Sequence, residues 1–151
     1  MRFYLKILIV LAALLLYEKL PAQNYGFGAG IILGDPTGLS FKYWTNPKNA
    51  WDAGIAWGIG EKNALSLHGD YLWHNFRLIL VDKGRLAVYY GPGARFILGD
   101  DPHFGMRGVI GLDYMFLRVP IDIFLEIAPI FDLVPATEFY LNGGLGVRYF
   151  F

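Results

Sequence analysis

Ser66, His68 and Asp70 alternate along one short segment, so a β-strand there would put a nucleophile, a base and an orienting carboxylate on one face. The spacing weakens a direct relay. Residues two apart on a strand are separated by about 6.6–6.8 Å, beyond hydrogen-bond reach unless a neighbouring strand supplies a missing member. A hydrogen-bonded interior histidine is the simpler account of His68. Lipid acyl transfer or deacylation therefore stands only as an alternative to a non-enzymatic role. His103 beside Asp100 and Asp101 matches no strong ligand spacing and fits a solvated acidic turn. The glycines of Gly26-Phe27-Gly28-Ala29-Gly30 precede neither a helical pattern nor a Gly-Lys-Ser/Thr sequence, so they do not make a phosphate loop. Neither a metal nor an organic cofactor is called for.

A second set of chemically capable residues is larger. Lys42, Arg95, Arg107 and Arg148 fall in the same alternation phase of their segments as Asp52, His68, Asp70, Asp113, Asp122 and Glu126, with Asp132 near a rim. Near balance of sign predicts an interior network of ion pairs and hydrogen bonds. The competing expectation is a narrow polar pathway for ions or a small solute.

The elements that must hold these groups are strands. Turn-forming clusters recur at 34–38, 46–49, 60–63, 82–84, 99–102, 118–120 and 134–137, and divide the chain into eight segments. Strands are predicted near 24–33, 39–45, 50–59, 64–74, 86–98, 104–116, 121–132 and 138–151. Several approach the roughly 9–11 residues of a tilted membrane strand. Period two is clearest where Ile121, Ile123, Leu125, Ile127, Pro129 and Phe131 oppose Asp122, Phe124, Glu126, Ala128, Ile130 and Asp132. In every predicted strand the charges share the second face, the one that also collects glycines. A soluble barrel would put its charges outside. Eight strands enclose a space just wide enough for side chains, and Gly144 and Gly146 are expected to join the glycines of strand one in a small-residue seam. Tyr25, Phe27, Tyr43, Trp51, Trp57, Tyr71, Trp73, Tyr90, Tyr114, Tyr149 and Phe151 are placed for girdles at two membrane interfaces. Pro92 and Pro129 lie inside strands and predict bulges or local breaks.

Composition agrees with membrane contact. Of 151 residues, 55% are hydrophobic and only 17% charged, too few charges to cover a soluble surface comfortably. Thirteen basic against thirteen acidic residues give no reason to expect a nucleic-acid partner. Met1, Arg2 and Lys6 followed by the apolar run Ile7 to Leu16 predict a signal peptide over 1–22, cut between Ala22 and Gln23, with a barrel domain over 23–151. The run is well short of the ~20 residues of a membrane helix. Absence of cysteine excludes a disulfide framework and a lipid-modified cysteine.

The segment Phe139 to Phe151 closes with Leu145, Val147, Tyr149 and Phe151 in one phase. It resembles the C-terminal assembly signal of bacterial outer-membrane barrels. That resemblance implies a Gram-negative-type envelope, integral outer-membrane localisation, and two partners: the lipid bilayer and the barrel assembly machinery. The barrel region as a whole resembles small eight-stranded barrels of the OmpA and OmpX type. It is also similar to a group of uncharacterised outer-membrane proteins that carry a Tyr-Leu-Trp-His-Asn segment, here Tyr71 to Asn75. The fold implied is an all-β, eight-stranded antiparallel up-and-down transmembrane barrel. The expected role is envelope-structural or surface interaction, with a narrow pore as the alternative.

Overall fold

The computed structural model describes residues 26–35, 37–57 and 64–151. The expected signal peptide and its cleavage site, Tyr25, and the turn near 60–63 lie outside those residues. Eight strands follow one another: β1 (Gly26–Asp35), β2 (Gly38–Trp44), β3 (Asn49–Trp57), β4 (Leu65–Asn75), β5 (Arg85–Leu98), β6 (His103–Met115), β7 (Ile121–Val134) and β8 (Glu138–Phe150). Each pairs antiparallel with the next, and β1 pairs with β8 to close the barrel. Closure leaves no free sheet edge.

Alternation of side chains sorts the wall into two surfaces. Inward rows carry the buried residues, while outward rows expose Leu39, Tyr43, Trp51, Met106, Ile110, Leu125, Ile127 and Phe131. Among the described strand residues, the exposed charged ones are Asp35 and Glu138, each at a strand end. The midsection of the outer wall is therefore apolar all round.

Pro92 and Pro129 produce breaks rather than bulges. Between β4 and β5 the pairing runs to Asp70↔Gly93 and resumes at Trp73↔Tyr90; between β6 and β7 it runs to Arg107↔Ile130 and resumes at Ile110↔Ile127. The register is the same on both sides of each gap, because a proline deletes a ladder donor without adding a residue. Pro92 remains paired with Gly108 on its other side, and Pro129 with Leu141. A true register shift occurs at Phe104/Gly105.

The exposed Tyr and Trp residues concentrate toward one end, while phenylalanines occur at both. Phe27, Tyr43, Trp51, Tyr71, Trp73, Tyr90, Tyr114 and Tyr149 lie toward the end that holds Gly26 and Phe150, and Trp51–Tyr71–Trp73–Tyr90 form a chain of ring contacts with centroids 4.9, 5.3 and 6.1 Å apart. Among the described residues of the expected girdles, Trp57 alone sits at the opposite end, where the contacting pairs are Phe96–Phe104 and Phe131–Phe139. The aromatic residues expected at two interfaces thus fall mostly at the terminal end, and the opposite end, with Trp57 and Tyr140, is richer in phenylalanine. Tyr and Trp need a polar partner for O–H or N–H and favour an interface, whereas Phe does not.

Candidate functional site

The barrel interior gathers the charged residues into three groups stacked along the axis. Below them, at the terminal end, Trp44, Ala50, Met115 and Phe150 pack into an apolar floor. Ile32, Leu72, Tyr89, Val109, Phe124 and Ala128 form a second buried apolar cluster.

The lowest charged group centres on Arg148. Its Nη1 donates to Asp52 Oδ2 at 2.7 Å, while Nε and Nη2 donate to the Asp122 carboxylate at 3.0 and 2.9 Å. Its guanidinium lies 3.9 Å from the Phe124 ring centroid. Lys42 Nζ donates to Asp113 Oδ2 at 2.5 Å and meets His74 Nε2 at 2.8 Å, with the Trp44 ring 4.5 Å away. Arg148 Nη2 stands 3.7 Å from Asp113 Oδ2 and so joins the two halves.

In the middle group Arg107 Nε lies 2.8 Å from Asp70 Oδ1, and its Nη2 lies 3.5 Å from Glu126 Oε1. The Tyr89 hydroxyl donates to the other Glu126 oxygen at 2.6 Å. The upper group is a two-pronged contact: Arg95 Nη2 donates to both oxygens of Asp132 at 2.9 Å, and His103 Nδ1 approaches Asp132 Oδ2 at 3.1 Å. Lys42, Asp52, His68, Asp70, Arg95, Arg107, Asp113, Asp122, Glu126 and Arg148 are all buried. Buried charges in contact with opposite charges are the arrangement that low dielectric demands.

Glycines on the inner face make room for this packing. A Cβ on Gly54 would collide with the His68 ring, and one on Gly93 with the Asp70 carboxylate. Each glycine sits across the ladder from the large group that covers it, in the pairs Gly54↔His68 and Asp70↔Gly93. The predicted seam of β1 and β8 pairs Ile32 with Gly146 and Gly34 with Gly144. Gly146 admits the Phe124 ring, which in turn faces Arg148.

Ser66, His68 and Asp70 share the inner face without forming a relay. Among the described residues no hydrogen bond joins Ser66 to His68, and the carboxylate nearest the His68 ring in an ion-pair contact is that of Asp52, at 4.0 Å. Donor atoms of Asp52, His68 and Asp70 lie within 4.8 Å of one another, a spacing that a cation could draw together. Both carboxylates are already engaged, Asp52 by Arg148 and Asp70 by Arg107. The cluster is explained by those pairs.

Three participants lie outside the network that the sequence predicts: Tyr89, whose hydroxyl meets Glu126, His74 and His103. His74 binds Lys42 inside and, through its backbone N–H, the Lys48 carbonyl at 2.8 Å. Its alternation phase, shared with His68 and Asp70, is the signal that identifies it. His103, expected as part of a solvated acidic turn, bridges Asp132 and Asp101, the latter at 3.4 Å. That bridge spans β6 and β7 and leaves no trace in local spacing.

No family model and no curated protein sequence matches the chain significantly. A solved structure, the N-terminal β-barrel domain of Pseudomonas aeruginosa OprF, is similar with a TM-score of 0.53 at 17% sequence identity, over 83% of this chain and 95% of that domain. The likeness is one of fold. The all-β, eight-stranded up-and-down barrel implied by the resemblance to the small OmpA-type barrels is the architecture found.

Proposed function

We propose that the chain is an integral outer-membrane barrel with a plugged lumen, non-enzymatic, serving envelope structure or surface interaction. The observation that carries this reading is the pairing of an apolar outer wall with a charged interior. Leu125, Ile127 and Phe131 of β7 are 53, 51 and 53% exposed, while Asp122, Glu126 and Asp132 of the same strand are buried. In water this wall would be an extended hydrophobic patch; in a bilayer it is matched to its solvent. The Tyr/Trp girdle supports the same placement.

The outward row Leu145, Val147, Tyr149 and Phe151 is the surface offered to the barrel assembly machinery. Phe151 is 52% exposed, and its N–H donates to the Phe27 carbonyl at 2.9 Å, holding the ring at the β1–β8 seam. Phe151→Ala is expected to lower insertion in cells, and unchanged insertion would remove this role.

Membrane placement itself is tested by mixing the barrel region with preformed lipid vesicles. Insertion predicts a heat-dependent shift on gels and resistance to extraction by urea or carbonate. Recovery as a stable, detergent-free soluble protein would overturn the reading.

A further inference from the structure

At the end of the barrel that holds Gly26 and Phe150, the β2–β3 turn and the β4–β5 connection enclose an open cavity of about 480 Å³. Three of its lining side chains are cationic, Lys48, Arg77 and Arg85, and none is acidic. No described carboxylate forms an ion pair with any of the three.

The local fold fixes where these cations stand. Asn46 Oδ1 accepts from the backbone N–H of Lys48 and of Asn49, both at 2.9 Å, and so shapes the turn that carries Lys48. Asn75 Oδ1 accepts from the Arg77 N–H at 2.9 Å and starts the longer connection in the same way. The Arg85 guanidinium lies 4.0 Å from the Phe76 ring centroid, which holds it at the cavity instead of free in solvent.

Two further features give the surroundings of the cavity. Trp73 and Tyr90, members of the Tyr/Trp girdle, line its outward side. The connection then exposes four consecutive apolar residues, Leu78, Ile79, Leu80 and Val81, with Leu80 85% exposed. A turn bathed only in water has no use for such a run. Beside a membrane wall it continues the apolar surface.

We propose that this cavity binds the phosphate head group of an anionic phospholipid from the adjoining leaflet. The cations face the phosphate, the girdle rings sit at head-group depth, and Leu78 to Val81 lie along the acyl chains. Arginine suits this task because its planar fork binds phosphate oxygens in pairs. The inference rests on the membrane placement proposed above.

The test uses folded protein in neutral detergent micelles, with phosphatidylglycerol, phosphatidylcholine and inorganic phosphate as probes and native mass spectrometry as the readout. Phosphatidylglycerol is expected to be retained in preference to phosphatidylcholine. Arg77→Gln and Arg85→Gln should each weaken retention about fivefold, the equivalent of about 1 kcal/mol per basic residue at an anionic surface. Arg118→Gln, at the same end but outside the cavity, should leave retention unchanged. Equal retention of the two lipids, equal loss with Arg118→Gln, or full displacement by inorganic phosphate would each overturn the lipid site. A heat-shift assay on the same samples in vesicles separates the two failures. Insertion without lipid preference overturns the site alone, whereas failure to insert overturns the membrane placement and the site with it.

Discussion

Arg148 on β8 reaches Asp52 on β3 at 2.7 Å, with β1 and β2 lying between those strands in the wall. The contact crosses the lumen instead of following the ladder, and the same guanidinium holds Asp122 on the adjacent β7. One side chain thereby ties three strands together in the barrel interior.

Arg148→Met should therefore destabilise the barrel by about 3–5 kcal/mol, because it strands buried carboxylates without a partner. Arg148→Lys should recover only part of this loss, since an ammonium cannot hold Asp52 and Asp122 with separate nitrogens of one planar fork. Urea unfolding in lipid vesicles measures both. A loss below about 1 kcal/mol, the range of an exposed pair, would show that the contact adds little.

Two glycines separate packing from backbone effects. Gly54→Ala should cost about 1–3 kcal/mol, since the His68 ring occupies the place of the new methyl group. Gly108→Ala should be neutral or stabilising by up to roughly 1 kcal/mol, because a Cβ there meets nothing within 4 Å and glycine weakens strand interiors. Parallel unfolding curves decide the matter. Equal effects of the two substitutions would mean that interior crowding does not govern where glycine is required.

The outer wall is probed at Leu125, 53% exposed on the outward row of β7. Leu125→Arg should cost roughly 2–4 kcal/mol in vesicles if that row faces the hydrocarbon, whereas Leu125→Phe should have little effect. An unaltered folding free energy for the arginine variant would reverse the assignment of inside and outside.

The fold was legible because one physical rule, alternation with period two, operates along the strands. Ile121 to Asp132 alternates without a fault, and the phase it sets for Asp122 and Glu126 is the phase in which they are buried. Turn clusters such as Asn46-Pro47-Lys48-Asn49 then fix strand number. Which interior groups pair is a different matter, because Arg148–Asp52 and Arg95–Asp132 depend on barrel closure and shear, quantities that no single strand encodes. The prolines illustrate the same limit. Sequence shows that Pro92 and Pro129 must interrupt a ladder, but not whether register is kept across the gap, as it is at both. Girdle asymmetry was hidden because an aromatic residue is recognised by type, while its height depends on strand stagger.

The proposed barrel has a plugged lumen. Six buried carboxylates and four buried Lys and Arg residues line the described interior, so any continuous water path through it would favour cations. The direct measurement is single-channel recording in a planar bilayer, with folded state verified by the heat-dependent gel shift. Folded protein is predicted to be silent. Reproducible conductance that changes with Arg107→Gln or Glu126→Gln would contradict a plugged barrel and make the interior charges the lining of a pore.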